Sequence, residues 1–382
     1  MKEDKYGVQY SDDGKTLLHI PYDFAGEYVV PEEVEVISMA VFDYHPNSFL
    51  VPPSLEGFIV GKNVKMIHPN VGFAFVRKVV VDKANPFYDS RENCNAVIET
   101  STNTLIIAGW KSFIPDGVKI IREYAFCHYL GRIFIPASVE NIKENAFWQC
   151  QIVELIVDKK NKFYDSREGC NAIIETLTGK LVFGSRKTFI PEGVTCIGSD
   201  VFYNSWIKEV RIPNTVKKIE RFAFYNAYLG RLIISSSVEE IDKMAFWNNN
   251  ISKITIDSEN KKYDSREGCN AIIESETDKL IASSVVFKIP SSVKIVGSES
   301  LNVGCKPVLD IPEGVEVIES NAFVLRESLE IRLPSTLIEF QKHDLGPGLK
   351  RIVVPKGQKS RFVKMKNLRQ FRNSIVEAVE AD

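Results

Sequence analysis

The chain lacks any apolar run near the roughly 18 residues that a membrane-crossing helix needs. Met1-Lys2-Glu3-Asp4-Lys5-Tyr6 leads into polar sequence without the apolar core of a signal peptide, so neither a membrane span nor a signal peptide is visible in this sequence. Neither sign of charge is in surplus: 48 Lys and Arg against 50 Asp and Glu leave a formal net charge of −2. No electrostatic case for nucleic acid follows. His19, His45, His68, His128 and His343 are scattered without ligand spacing, and no H-E-x-x-H, G-x-S-x-G or Walker sequence occurs. Gly61-Lys62 has no glycine loop before it. No catalytic residue, metal or cofactor is therefore assigned, and an enzyme with a cleft site is a distant alternative.

Seven cysteines, an odd number in a long chain, do not read as a disulfide framework. Cys94, Cys170 and Cys269 hold one place in three related segments that lie three or four coils apart. At about 4.8 Å per stacked strand they fall beyond the Cα separation of about 7 Å that a disulfide tolerates. They are expected to be small buried hydrophobes.

A repeat is what the sequence does have. Ile212-Pro213-Asn214-Thr215-Val216-Lys217-Lys218-Ile219, then Ala223-Phe224, then Leu229-Gly230-Arg231-Leu232-Ile233-Ile234 forms a unit of 22 residues before the pattern restarts. Its last part, Leu229-x-x-Leu232-x-Ile234, fits the L-x-x-L-x-L strand of a leucine-rich repeat. Apolar anchors ending such strands stand at Val30, Val60, Val81, Ile114, Ile135, Val157, Ile190, Ile212, Ile234, Ile256, Ile289, Ile311, Leu333 and Val354. The intervals are mostly 21 or 22, with three of 33 and a first one of 30. Proline after most anchors, as at Pro115, Pro213 and Pro312, removes a donor and ends the strand. The Ala-Phe or Val-Phe pairs at Phe42, Phe126, Phe147, Phe202, Phe224, Phe246 and Phe323 should fill the core opposite the strand.

The intervals of 33 contain near-copies of Asn85-Pro86-Phe87-Tyr88-Asp89-Ser90-Arg91-Glu92-Asn93-Cys94-Asn95-Ala96, followed by two short apolar strands. Asn103, Gly179 and Asp278 share the position between those strands, and each tolerates positive φ, which predicts a hairpin. The Tyr-Asp-Ser-Arg-Glu triple suits a buried Tyr, an Asp-led turn and a local Asp–Arg pair better than an ion site. Residues 1–29 read as an N-terminal hairpin cap, 30–355 as the solenoid and 356–382 as a C-terminal helical cap, all in one continuous domain. In the last segment Phe362, Met365, Leu368, Phe371 and Ile375 recur at three and four, one face of an amphipathic helix with a basic opposite face.

With units of the form I-P-x-x-V-x-x-I-x-x-x-A-F from about Tyr10 to Glu377, the sequence resembles the BspA-like leucine-rich repeat family, the bacterial surface type. The fold expected is a β-rich α/β solenoid, a right-handed superhelix of coils of about 21–23 residues with three hairpin-containing coils of 33. The resemblance implies adhesion or recognition of a protein or glycan, possibly host-derived, at the cell surface or after secretion. A cytoplasmic interaction scaffold is the alternative. The cysteine common after A-F-x-x in the family appears here only as Cys150, and Gln149, Asn204, Asn226 and Asn248 bring polar side chains around that position.

Because strand residues alternate faces, the pairs Arg132/Phe134, Glu154/Ile156, Glu209/Arg211, Arg231/Ile233 and Lys253/Thr255 are expected on the open side of the sheet, with Glu330/Arg332 and Arg351/Val353 further on. Mixed charge with apolar side chains is compatible with a ligand-binding face. A second candidate is the row after the buried phenylalanine, Cys127, Trp148, Tyr203, Tyr225, Trp247 and Val324, whose aromatics could stack on one another or on sugar rings.

Overall fold

The computed structural model describes residues 1–21, 23–38, 41, 55–68, 76–302, 307–323, 329–343, 345 and 348–379. Phe42, His45, Cys305 and Val324 lie outside the described residues. The chain forms two compact units, Met1–Thr188 and Phe189–Asp382. Each is a leucine-rich repeat β-solenoid with little helix.

Within a coil the chain runs through one long strand, a tight turn, a strand of two residues and a corner. In the second unit the long strands Trp206–Arg211, Tyr228–Ile234 and Asn250–Ile256 pair in parallel, with Trp206, Tyr228 and Asn250 in register. Their apolar pattern dictates the packing: Ile207, Val210, Leu229, Leu232, Ile251 and Ile254 are buried, and the residues between them are exposed or half-exposed. The short strands Cys196–Ile197, Lys218–Ile219 and Glu240–Ile241 make a second parallel ladder. Ile197 and Ile219 are fully buried on it. Apolar side chains from the two ladders meet in the interior, so each coil completes a core that no single coil could enclose.

At the corner, Phe202, Phe224 and Phe246 form a stack with centroids 5.0 and 5.1 Å apart and ring planes within 12° and 8°. Full burial of each such ring is worth about 1.5–3 kcal/mol. The chain can turn so sharply only through positive φ, found at Asn204, Asn226 and Asn248 and, in the first unit, at Gln149. Asparagine tolerates this region better than most residues. Its side chain also bonds the next coil: Asn226 Nδ2 donates to Asn204 Oδ1 and Asn248 Nδ2 to Asn226 Oδ1, both at 3.1 Å. Polar residues at this corner are thus an asparagine ladder.

The three longer segments carry the expected hairpins. Ala96–Glu99 pairs antiparallel with Thr104–Ala108, Ala172–Glu175 with Lys180–Gly184, and Ala271–Glu274 with Lys279–Ser283. Asn103, Gly179 and Asp278 have φ of 53°, 70° and 51°. A third strand, Tyr88–Asp89 in the first copy, pairs on the other side of the hairpin. Tyr88, Tyr164 and Tyr263 are buried. Arg91 donates to both carboxylate oxygens of Asp89, at 2.9 and 2.6 Å, and Arg167–Asp165 and Arg266–Asp264 repeat the fork. The triple is therefore a local turn held by a bidentate pair.

None of the six described cysteines forms a disulfide. Cys94, Cys170 and Cys269 are fully buried, and burial pushes the Cys94 and Cys170 thiols up to about 11.

The C-terminal segment corrects the expectation of one amphipathic helix. Only Lys359–Lys364 is α-helical; Met365 is extended (φ −64°, ψ 131°), a 3₁₀ turn covers Arg369–Phe371, and Ile375–Glu377 pairs in parallel with Leu349–Val354. Phe362, Leu368 and Ile375 are all fully buried, but by separate elements. Arg361 Nη1 donates to the Ser335 carbonyl at 2.6 Å, Arg361 Nη2 to the Leu337 carbonyl, and Asn367 Nδ2 to the Phe340 carbonyl at 3.0 Å. These donors satisfy carbonyls of the coils beneath, as a terminal covering must. Among the described residues, no helix is long and apolar enough to cross a membrane.

Candidate functional site

The open faces of the long strands gather the candidate residues of each unit. In the first unit Leu130–Ile135 and Gln151–Val157 pair so that Arg132 lies opposite Glu154 and Phe134 opposite Ile156. Arg132 Nε and Glu154 Oε2 are 3.1 Å apart. Phe134 and Ile156 remain 50% and 46% exposed, side by side on adjacent strands. They form a ridge. On one side is a pocket of about 270 Å³ reaching Phe113 and Phe126; on the other is a cleft of about 1240 Å³ walled by Asn161, residues 164–169 and Asn171 of the second long segment.

In the second unit three strands present a larger face. Glu209, Arg231 and Lys253 share one row, and Arg211, Ile233 and Thr255 the next. Glu209 approaches both guanidinium groups, Arg211 at 3.1 Å and Arg231 at 3.6 Å. A single carboxylate thereby orients two cations and neutralises the charge of one. Lys208 and Lys253 are exposed on the same face.

The sequence reading stopped one row short. Trp206 and Tyr228 stand three positions before the charged row, and their rings stack at 4.2 Å and 11° while remaining 59% and 37% exposed. Their separation of 22 residues is the signal that could have found them. Between this pair and the charged row lie Lys208, Gly230 and Ser252, the last two too small to fill the space. A Cβ on Gly230 would come within 2.4 Å of the Lys208 carbonyl oxygen, so this close approach of two strands requires glycine.

The aromatic row at the corner is arranged differently. Trp247 stacks on Tyr225 at 4.9 Å and 10°, Tyr203 tilts against Tyr225 at 5.1 Å, and Phe222 packs against both Tyr225 and Trp247. In the first unit Trp148 meets Tyr124 and His128 edge to face. These rings are half-buried and largely occupied with one another.

The four described histidines are not brought together into a metal site. His343 is buried: Ala322 N donates to its Nε2 at 3.1 Å, and its Nδ1 lies 2.9 Å from the Gln341 carbonyl, the arrangement of a neutral ring. No group of His, Cys, Asp and Glu among the described residues is placed to hold a metal ion.

Stacked coils, L-x-x-L-x-L strands paired in parallel ladders and phenylalanine corners define a leucine-rich repeat solenoid. The chain belongs to the BspA-type leucine-rich repeat family, whose sequence model matches in six copies over residues 110–170, 185–275 and 273–356, more than half of the chain. Solenoids of this kind generally act as binding scaffolds. Among solved structures the chain is similar to a leucine-rich repeat protein from Eubacterium ventriosum (12% identity, covering 88% of this chain and 91% of that one, TM-score 0.43). It is also similar to a leucine rich cell surface protein from Faecalibacterium prausnitzii (18%, 92% and 75%, 0.34) and to the pneumococcal vaccine antigen PcpA (12%, 100% and 84%, 0.37). No curated protein is a significant match.

Proposed function

We propose that the protein is a non-catalytic recognition module that binds a protein or glycan ligand through the open faces of its long strands. The observation that carries this reading is the face 206–256, where charged and aromatic side chains stand exposed on a rigid ladder whose opposite side is wholly committed to the core. Rigid presentation lowers the entropy lost on binding. The exposed ridge of Phe134 and Ile156 offers a second contact area in the first unit.

The test is capture by the full chain from panels of extracellular-matrix proteins and glycans, beside the double variant Arg211→Glu, Arg231→Glu. Capture lost by the variant while its melting temperature is unchanged supports the open face. Equal capture by both moves recognition away from it. An intracellular interaction scaffold is the second reading, favoured by the absence of disulfides among the six described cysteines. Protease treatment of intact source cells separates the two: digestion while a cytoplasmic control survives supports the outside location, and protection until lysis supports the scaffold.

A further inference from the structure

We propose that the ligand of the face 206–256 is an anionic polysaccharide, a glycan bearing carboxylate or sulfate groups; this rests on the open-face reading above. The first observation is charge. The three strands carry Lys208, Arg211, Arg231 and Lys253 against Glu209 alone, although the chain as a whole has a net charge of −2. Other long-strand ladders are close to balanced: Arg132 opposes Glu154 in one, the strands of another carry Lys78 with Glu27 and Glu56, and Asp310, Glu330 and Glu377 offset Arg332, Lys350 and Arg351 in a third. Cationic surplus is thus local to this face. Arg231 and Lys253 are direct neighbours on adjacent strands, whose backbones lie about 4.8 Å apart along the ladder, so two positive charges stand side by side on this face.

The second observation is shape. The Trp206–Tyr228 pair forms an exposed aromatic wall, the row of Gly230 and Ser252 a floor, and Arg231 with Lys253 the opposite side. This recess suits a flat polar ring that lays C–H groups against aromatic rings and turns an anionic substituent toward the guanidinium and ammonium groups. Arginine supplies a fork for carboxylate or sulfate oxygens, and Glu209 holds two such forks in place.

A peptide adding as a further strand is disfavoured beside Asn250–Ile256, because Ile254 N already donates to Asn270 Oδ1 at 2.7 Å. The proposed ligand lies over the sheet and needs no free strand edge.

The test uses the full chain with four immobilised probes: polygalacturonate, dextran sulfate, uncharged dextran and oligothymidylate. Wild-type protein is expected to bind one or both anionic polysaccharides, with affinity falling as salt rises, and to bind dextran and oligothymidylate at least about tenfold more weakly. Trp206→Ala and Lys253→Glu should each weaken polysaccharide binding by roughly tenfold or more, with melting temperatures unchanged. Trp206→Phe, which keeps an aromatic face, should retain most of it. Equal binding of oligothymidylate, or full affinity in Trp206→Ala, would overturn the glycan assignment in favour of a general polyanion surface. Binding of none of the probes would overturn it too. In either case the open-face reading is judged separately, by whether the Arg211→Glu, Arg231→Glu variant loses the ligand found in the protein and glycan panels.

Discussion

Asn171 Oδ1 accepts the Leu155 backbone N–H at 2.6 Å, where the next strand of the ladder would otherwise supply a carbonyl. Asn95 does the same for Val79 at 2.6 Å and Asn270 for Ile254 at 2.7 Å. Ser90 and Ser166 add a second bond, to Val81 and Val157 at 3.0 Å. Each long segment therefore ends one long-strand ladder with side-chain acceptors, which covers an edge that would invite pairing with another chain. Asn171→Ala removes the acceptor of the part-buried Leu155 N–H and places alanine at φ 58°. The expected loss is about 1–3 kcal/mol, read from denaturant unfolding. Asn171→Asp, which keeps the acceptor oxygen, should lose less; equal losses would show that the bond to Leu155 is immaterial.

Phe224 is fully buried between Phe202 and Phe246. Phe224→Ala removes the middle ring of that stack and should cost about 3–5 kcal/mol, because the coils on either side cannot close the gap without breaking their strand register. In a solenoid stability passes between nearest neighbours. Hydrogen exchange should therefore quicken most in the coils of Phe202, Phe224 and Phe246. Uniform quickening across the whole chain would show a more cooperative unit.

Much of this architecture was legible because the apolar period reports directly on burial. Ile212, Val216 and Ile219 mark anchor, turn and short strand, and all three are buried. The hairpins were legible through Asn103, Gly179 and Asp278, since positive φ narrows residue choice. Two features were not. The C-terminal spacing at three and four was satisfied by a short helix, a 3₁₀ turn and a strand in sequence, because the apolar residues had to follow the exposed end of the core and not a single axis. The acceptor roles of Asn95, Asn171 and Asn270 depend on strands 16 residues away, which no local pattern records. On the open face 206–256 the charged row follows from alternation, whereas the Trp206–Tyr228 stack precedes the repeat motif.

Leu130-Gly131-Arg132 and Leu229-Gly230-Arg231 are identical triplets, yet their glycines answer different demands. Gly131 has a φ of 139°, a region side chains rarely enter, while Gly230 is needed because the Lys208 carbonyl oxygen would stand 2.4 Å from its Cβ. The backbone of two paired strands cannot yield as a side chain could. Gly230→Ala should cost about 1–3 kcal/mol through overpacking and separate the strands locally. Circular dichroism melts and the Trp206 fluorescence give two readouts of one event: loss of stability with a changed emission maximum supports the close approach, and a neutral variant refutes it.

The buried histidine makes stability depend on pH. Burial holds His343 below its ordinary pKa of 6.5, against a smaller opposing effect of the hydrogen bond to the Gln341 carbonyl. The unfolded chain thus takes up a proton at a pH where the folded chain still resists it, so the contribution of neutral His343 is complete above pH 6.5 and declines as pH falls below that value. Glu330 acts in a lower window. Its carboxylate, 5% exposed, accepts Nε–H of Arg332 at 2.8 Å and of Arg351 at 2.7 Å, and these two partners hold it below 4.5. Its contribution is present above pH 4.5 and is lost as pH falls through its folded pKa. Melting temperature should consequently drop between pH 7.5 and 5.5 in the wild type. His343→Gln should melt lower at pH 7.5 but fall less over that interval, and Glu330→Gln should flatten the curve only below pH 4.5. Parallel curves for wild type and His343→Gln would show that protonation of His343 is not what the acid limb measures.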